Sequence, residues 1–211
     1  MLMYGSSYPV GKLGTNVFSP LLMGSLRSLF LFLAILPFFR FSLPKNNRLN
    51  FVLFCFVMGV GTYGCVYLAI DASSLLSPII IGAQLSVPFG LILSNFFLRE
   101  KISLKKWFLI FFSFIGVIIV AYDPRFIDQY LGSFFVILMA FFYAIANILS
   151  RHLKDVNTVD QIGWHSLMGF FVLFSCSVFI EGNTLYQLYP INYKGMFTAL
   201  HAGIFVSLIG H

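Results

Sequence analysis

Charged residues are scarce in this chain. Only 9% of its 211 residues are Asp, Glu, Lys or Arg, whereas 59% are hydrophobic and 18% are aromatic. A soluble domain carries about 25% charged residues, and the mean hydropathy here is +0.92. These values exclude an ordinary soluble domain and predict a polytopic membrane protein.

Cysteines are also few, and the motifs of catalysis and nucleotide binding are missing. Cys55, Cys65 and Cys176 all lie in apolar runs, so they are interpreted as buried small hydrophobes and not as a disulfide framework or a metal site. The sequence has no Gly-x-Ser-x-Gly elbow, no His-Glu-x-x-His pair, no Asp-rich diphosphate motif and no Gly-x-x-x-x-Gly-Lys-Ser/Thr loop. We therefore expect no enzyme activity, no cofactor and no metal.

Long apolar runs fill most of the chain. A membrane-spanning helix needs about 20 mostly apolar residues, and continuous runs favour helices over the alternating strands of a barrel. The sequence thus predicts an all-α, polytopic helical membrane protein with about eight transmembrane segments, the first one short. The runs cover 1–13, 17–39, 49–70, 73–98, 105–122, 129–150, 161–180 and 195–211.

Basic residues gather in alternate loops. The loops after the second, fourth and sixth runs hold nine of the thirteen Lys and Arg residues, and the positive-inside rule assigns those loops to the cytoplasm. The net charge of +6 is then a topology signal, helped by attraction to anionic lipid, and implies no nucleic-acid partner. The nine residues are Arg40, Lys45, Arg48, Arg99, Lys101, Lys105, Lys106, Arg151 and Lys154.

A weak internal repeat relates the two halves. Tyr4 to Lys12 and Tyr143 to Arg151 share an eight-residue step from Tyr to a basic residue, and Arg27 and His165 follow 15 and 14 residues later. The two segments are offset by five predicted spans, an odd number, so the repeats would be inverted in the membrane, as in many transporters.

Several segments resemble the EamA family of the drug/metabolite transporter superfamily. The matching motifs are Gln-Leu-x-Val-Pro-Phe at 84–89, the Leu-x-Glu-x-x-Ser loop around Glu100, and Phe-x-Gly-Val-Ile at 114–118. Arg27 matches an Arg of the family's second helix, and His165 stands where the second repeat often has Gln. The resemblance implies a ten-helix pair of inverted repeats, with the first repeat at 1–122 and a partial second repeat at 129–211.

The resemblance also implies a function. The expected protein is a multi-pass transporter of the inner membrane that moves small organic metabolites by alternating access. Its expected partners are the lipid bilayer and a small-molecule substrate. The order Val87-Pro88 resembles the branch of amino-acid and metabolite exporters, but substrate, direction and coupling ion are left open.

The chain ends give rise to two alternatives. Both ends fall inside apolar runs, so we expect a chain cut at both ends relative to the family plan. A non-functional fragment, or one that needs a partner chain or self-association, is therefore the main alternative to a working transporter. An intramembrane enzyme is a remote alternative.

The fourth predicted span combines small residues with two amides. Gln84 and Asn95 would lie within about 20° of each other on an α-helix, on the side of Pro88 and opposite the small residues. We expect the small residues to pack helices closely and the amide face to border a substrate cavity; the alternative is that the amides only bond neighbouring helices. The small residues are Gly82, Ser86, Gly90 and Ser94.

Arg27 is the most costly residue in the predicted spans. A cation near the bilayer centre costs about 2.5 to 3.5 kcal/mol on insertion scales, which suggests a buried partner or a wet cavity. Arg27 is a candidate for binding a substrate carboxylate, with snorkelling or a structural contact as the alternative. Tyr63 and His165 are further substrate-binding candidates, and His165 is a titratable one, although a structural His is the simpler interpretation.

The predicted orientation can be tested with fusions. A reporter that is active only in the cytoplasm should be active after Lys154, and a reporter that is active only outside the cytoplasm should be silent there. The opposite pair of results would reverse the assigned topology.

Overall fold

The chain forms a bundle of helices. A computed structural model describes residues 2–44, 47–97, 103–121, 130–189 and 192–207, and within these ranges it contains helices and no strand. The helices are α1 (Leu2–Thr15), α2 (Pro20–Ile35), α3 (Arg48–Asp71), α4 (Ser77–Phe97), α5 (Leu104–Ala121), α6 (Tyr130–Arg151), α7 (Thr158–Glu181), α8 (Thr184–Leu188) and α9 (Tyr193–Leu200, continued by His201–Val206).

The prediction of an all-α, polytopic membrane protein is confirmed. Five helices within the described ranges are long and apolar enough to cross a membrane, judged by length and composition. Each coincides with one of the long apolar runs of the sequence. The five are Pro20–Phe38, Arg48–Asp71, Ser77–Phe97, Tyr130–Arg151 and Thr158–Glu181. Lys45, Arg99, Glu100, Lys101, Arg125 and the last four residues of the run 195–211 lie outside the described residues.

The helices pack in an order different from their order in the chain. Helix α2 packs mainly on α7 and also contacts α3, whereas the other side of α3 packs on α6. Helix α6 in turn supports α4, and α5 contacts α4. Helices α1 and α9 pack together and cover α2. The centre of the bundle is therefore formed by α2, α3 and α7.

Glycines allow the central helices to touch through their backbones. A Cβ atom added to Gly59 of α3 would clash with the carbonyl oxygen of His165 in α7, and one added to Gly169 would lie 2.7 Å from the carbonyl oxygen of Gly59. On the other side of α2, a Cβ atom at Gly203 would lie 2.7 Å from the carbonyl oxygen of Arg27. Such close crossings favour association in lipid, where helices gain little from hydrophobic burial.

Helix α4 is broken near its middle. Residues Ser77–Ala83 and Ser86–Phe97 are helical, and a turn joins them at Gln84. Pro88 has no N–H to donate to the carbonyl of Gln84, and this oxygen accepts from the Val87 N–H instead, at 3.1 Å. The angle expected between Gln84 and Asn95 applies to one regular helix. Because the helix is interrupted between these two residues, that expected angle no longer holds.

Polar side chains close one end of the bundle. Lys12 Nζ donates to the carbonyl oxygens of Ile70 and Ser73, each at 2.8 Å, and so caps the end of α3. Glu181 accepts from the backbone N–H of Leu21 at 2.9 Å and from the hydroxyl of Ser19, which caps the start of α2. These contacts bring the end of α1, the end of α3 and the start of α2 to the same side as the end of α7.

The opposite end is held together by the first turns of α7. Buried Asp160 accepts from the Arg40 backbone N–H at 2.8 Å, and Trp164 Nε1 donates to the Ser42 carbonyl oxygen at 3.1 Å. Gln161 Nε2 donates to the carbonyl oxygen of Leu153 at 3.1 Å. The loops at 40–44 and 152–157, which flank five of the nine clustered basic residues, therefore meet at one end, as the predicted topology requires. Which end faces the cytoplasm stays a prediction.

The crossing at Gly59 should be intolerant of even one added methyl group. Gly59→Ala places a Cβ against backbone of α7, and overpacking of this kind costs about 1–3 kcal/mol. We expect a lower midpoint of thermal unfolding in detergent.

Gly90→Ala is the matched control. A Cβ at Gly90 has no heavy atom within 4 Å among the described residues, and Ala is the better helix former. A Gly59→Ala protein as stable as Gly90→Ala would contradict the crossing.

Candidate functional site

Arg27 is buried in the centre of the bundle. Its side chain is 8% exposed and extends from α2 towards the last segment of α9. Nη2 donates to Ser207 Oγ at 2.6 Å, and Nε donates to the carbonyl oxygen of Ala202 at 3.3 Å. These contacts hold the guanidinium by a hydroxyl and a backbone carbonyl, both neutral groups.

Tyr63 provides the third contact of the guanidinium. Arg27 Cζ lies 3.7 Å from the centroid of the Tyr63 ring, which is a close cation–π geometry. Tyr63 lies in α3 and is 7% exposed. In a site without water such a contact is worth about 2 kcal/mol, so Tyr63 offsets part of the cost of the buried cation.

His165 is the second neighbour of the Tyr63 ring, after Arg27. The centroids of the His165 and Tyr63 rings are 5.8 Å apart, and Phe54 packs edge-on against His165 at 5.9 Å. His165 is 3% exposed. The structure thus brings together three of the five predicted substrate-binding residues, Arg27, Tyr63 and His165. We call this group the central cluster.

π-helical segments flank the central cluster. Val57–Thr62 precedes Tyr63, and His201–Val206 contains Ala202. In the first segment Thr62 Oγ1 donates to the Val57 carbonyl oxygen five residues back, at 3.0 Å. Such wide turns are rare in α-helices as a whole. Where they do occur, they are often at functional sites. They alter the direction in which the following residues, Tyr63 and Ser207, point.

Sequence reasoning missed the contribution of α9. Ser207 Oγ donates to the Ala202 carbonyl oxygen at 3.0 Å, so this one carbonyl binds both Ser207 and Arg27. His201, one residue earlier, stacks on Phe205 with ring centroids 5.6 Å apart. In the sequence, Gly203 could have indicated this contact, because a glycine inside an apolar run permits close approach to another backbone.

The two amides of α4 lie elsewhere. Gln84 is exposed at the helix break, and Asn95 is half-buried two turns beyond Pro88. Helix α4 packs on α6 and α5, whereas the central cluster lies among α2, α3, α7 and α9. Gln84 and Asn95 therefore lie apart from the central cluster, and the substrate cavity expected beside them stays a prediction.

The small residues of α4 have unequal surroundings. A Cβ at Gly82 would clash with the Val136 side chain of α6, whereas one at Gly90 meets no heavy atom of the described residues within 4 Å. Ser94 is buried and donates to the Leu91 carbonyl oxygen of its own helix at 2.9 Å, and Ser86 is half-buried. Close packing is thus seen at Gly82, in the first half of α4.

Side chains that could bind a metal ion are dispersed in the described part of the chain. Within it, no group of three or more His, Cys, Asp or Glu side chains lies close enough to hold a metal ion. The functional groups of the central cluster are a guanidinium, a phenol and an imidazole. Such groups bind an anionic or polar solute.

Comparison with known proteins identifies a family. The model of the EamA-like transporter family matches residues 1–122, which is more than half of the chain. No curated protein matches the sequence.

The cation–π contact can be measured with a double-mutant cycle. Tyr63→Leu and Arg27→Met, singly and together, should show a coupling free energy of about 1–2 kcal/mol in unfolding titrations in mixed micelles. The control cycle pairs Arg27→Met with Phe54→Leu, which alters a ring that contacts His165. Its coupling should stay below about 0.5 kcal/mol; equal couplings in the two cycles would disprove the specific contact.

Proposed function

This chain belongs to the EamA-like transporter family, and on that basis we propose that it exports small organic metabolites bearing a carboxylate by alternating access. A membrane transporter follows from the family and from the apolar helices. The substrate class, the direction and the mechanism are the proposal. Amino acids are the solutes that fit it best.

The position of Arg27 carries the proposal. Its guanidinium is buried in the middle of a spanning helix, and Ala202, Ser207 and Tyr63 orient it through neutral groups. Guanidinium binds carboxylates with two parallel hydrogen bonds, which gives such a site both strength and geometric selectivity.

The positions of the π segments support an alternating-access mechanism. The contacts of Arg27 described above come from α3 and α9, and all three contacting residues lie in or directly after π segments. A shift of α9 would withdraw Ala202 and Ser207 together, because Ser207 directly follows the segment that contains Ala202. A solute could then replace these two hydrogen bonds while the Tyr63 ring still contacted the guanidinium.

His165 is the candidate for proton coupling. It contacts Tyr63, which contacts Arg27, so a charge on the imidazole would act on the same cluster. In the inverted-repeat hypothesis Arg27 and His165 occupy corresponding positions of the two repeats. Their meeting on one Tyr supports a single site shared by both halves.

Transport by reconstituted protein tests the role of Arg27. Proteoliposomes loaded with a mixture of the twenty amino acids should release at least one of them faster than empty liposomes, measured by mass spectrometry. Arg27→Gln should slow that release at least about tenfold, since a hydrogen bond to a charged group is worth about 1.5–3 kcal/mol. Arg27→Lys keeps the charge but loses the paired geometry, so its effect should be intermediate.

The controls separate the two candidate sites. Gln84→Ala and Asn95→Ala alter the amides of α4 and should leave the release close to that of the unmodified protein. If these variants abolished release while Arg27→Gln did not, the substrate site would lie at α4. Decarboxylated amines of the same amino acids should be released poorly by the unmodified protein; efficient release would contradict recognition of a carboxylate.

A further inference from the structure

An apolar groove runs along the outside of the bundle between α3 and α7. Its volume is about 380 Å³, which is within the usual range of about 300–1,000 Å³ for ligand pockets. Phe51 and Cys55 are each 4% exposed and form its floor, whereas Val52 and Phe171 are 51% and 60% exposed at its rim. The groove therefore opens sideways, away from the central cluster.

The walls of the groove are continuous apolar stripes. Phe51, Val52 and Cys55 are spaced as one face of α3, and Trp164, Leu167, Met168, Phe171 and Val172 are spaced as one face of α7. Trp164 is the one lining residue with an N–H in its side chain, and that group donates to the Ser42 carbonyl oxygen. A polar solute would find no hydrogen-bonding side chain here beyond the thiol of Cys55. A hydrocarbon chain is therefore the ligand that fits this apolar lining. In a membrane, an opening on the side of the bundle faces the acyl chains of the lipids.

Positive charge stands at one mouth of the groove. Exposed Arg48 precedes Phe51, Val52 and Cys55 by three, four and seven residues, so it extends the same stripe of α3. Exposed Arg40 lies three residues before Leu43, which also lines the groove. Asp160 lies beside this loop; its carboxylate is 1% exposed and accepts from the Arg40 backbone N–H. This mouth belongs to the end that the positive-inside rule assigns to the cytoplasm.

We propose that the groove binds one acyl chain of an anionic phospholipid of the cytoplasmic leaflet, with the lipid phosphate beside Arg48 and Arg40. The apolar stripes hold the chain, and the two guanidinium groups select the charge of the head group. The site is independent of the transported solute. It shares α3 and α7 with the central cluster, since Trp164 and His165 are neighbours in sequence.

Fluorescence quenching by brominated lipid tests the proposal. The chain has two tryptophans, and Trp107 of α5 is also 43% exposed, so a Trp107→Phe parent leaves Trp164 as the reporter inside the groove. Vesicles of phosphatidylcholine would contain increasing fractions of either phosphatidylglycerol or phosphatidylcholine with dibrominated chains. Half-maximal quenching should need about fivefold less brominated phosphatidylglycerol, the ratio that a gain of about 1 kcal/mol from one Arg gives.

Variants separate the head-group and acyl-chain parts. Arg48→Gln should remove most of the fivefold preference, whereas Lys105→Gln, an equally exposed cation at the start of α5, should preserve it. Val52→Phe and Val172→Phe each fill the groove and should lower the quenching by both lipids, whereas Ile119→Phe on the exposed face of α5 should not. If one groove variant fails to fold, the other carries this comparison.

Three results would overturn the proposal. The first is equal quenching by the two brominated lipids in the Trp107→Phe parent. The second is an undiminished preference in Arg48→Gln. The third is unchanged quenching when a correctly folded groove variant is used, because the reporter would then sense only the surrounding bilayer.

Discussion

The contact of helix backbones at glycine is the constraint on which the central part of this structure depends. Gly59 lies against the carbonyl oxygen of His165, and Gly203 lies against that of Arg27. Arg27 and His165 of the central cluster thus stand at the two crossings. A larger residue at either glycine would move α7 or α9 away from its partner helix, and with it the groups that contact Tyr63 and Arg27.

Hydroxyl groups near these crossings mostly serve their own helices. Ser25, Ser28 and Ser166 donate to carbonyl oxygens three or four residues back, at 2.7 to 2.9 Å. A hydroxyl bonded in this way adds little polarity towards a neighbouring helix. Ser207 differs, because it donates to Ala202 and also accepts from Arg27. The polar character at the centre is therefore concentrated around one guanidinium.

Much of this arrangement could be predicted from the sequence, for physical reasons that apply to single residues. Apolar length locates the helices, because a bilayer admits few alternatives. Arg27 is conspicuous because a cation in a span is costly. The break of α4 at Gln84 follows from Pro88, but the register after the break does not, since the helical angle is lost there. The π segments and the contact with Ser207 depend on which helices meet, and apolar periodicity does not contain that information.

The closed state of the central cluster bears on how a solute would reach it. Arg27, Tyr63 and His165 are 8%, 7% and 3% exposed, so at least one helix must move before a solute can touch the guanidinium. Helix α7 is poorly suited to that motion, because Asp160, Gln161 and Trp164 hold two loops at one end and Glu181 holds α2 at the other. Helix α9 packs on α1 and α2, touches α2 closely at Gly203, and contributes the Ala202 and Ser207 hydrogen bonds to Arg27. Breaking the two hydrogen bonds of Arg27 costs less free energy when an incoming carboxylate forms two new ones in their place. In the proposed mechanism α9 is therefore the helix whose movement opens the site, and the solute itself would supply the compensating bonds.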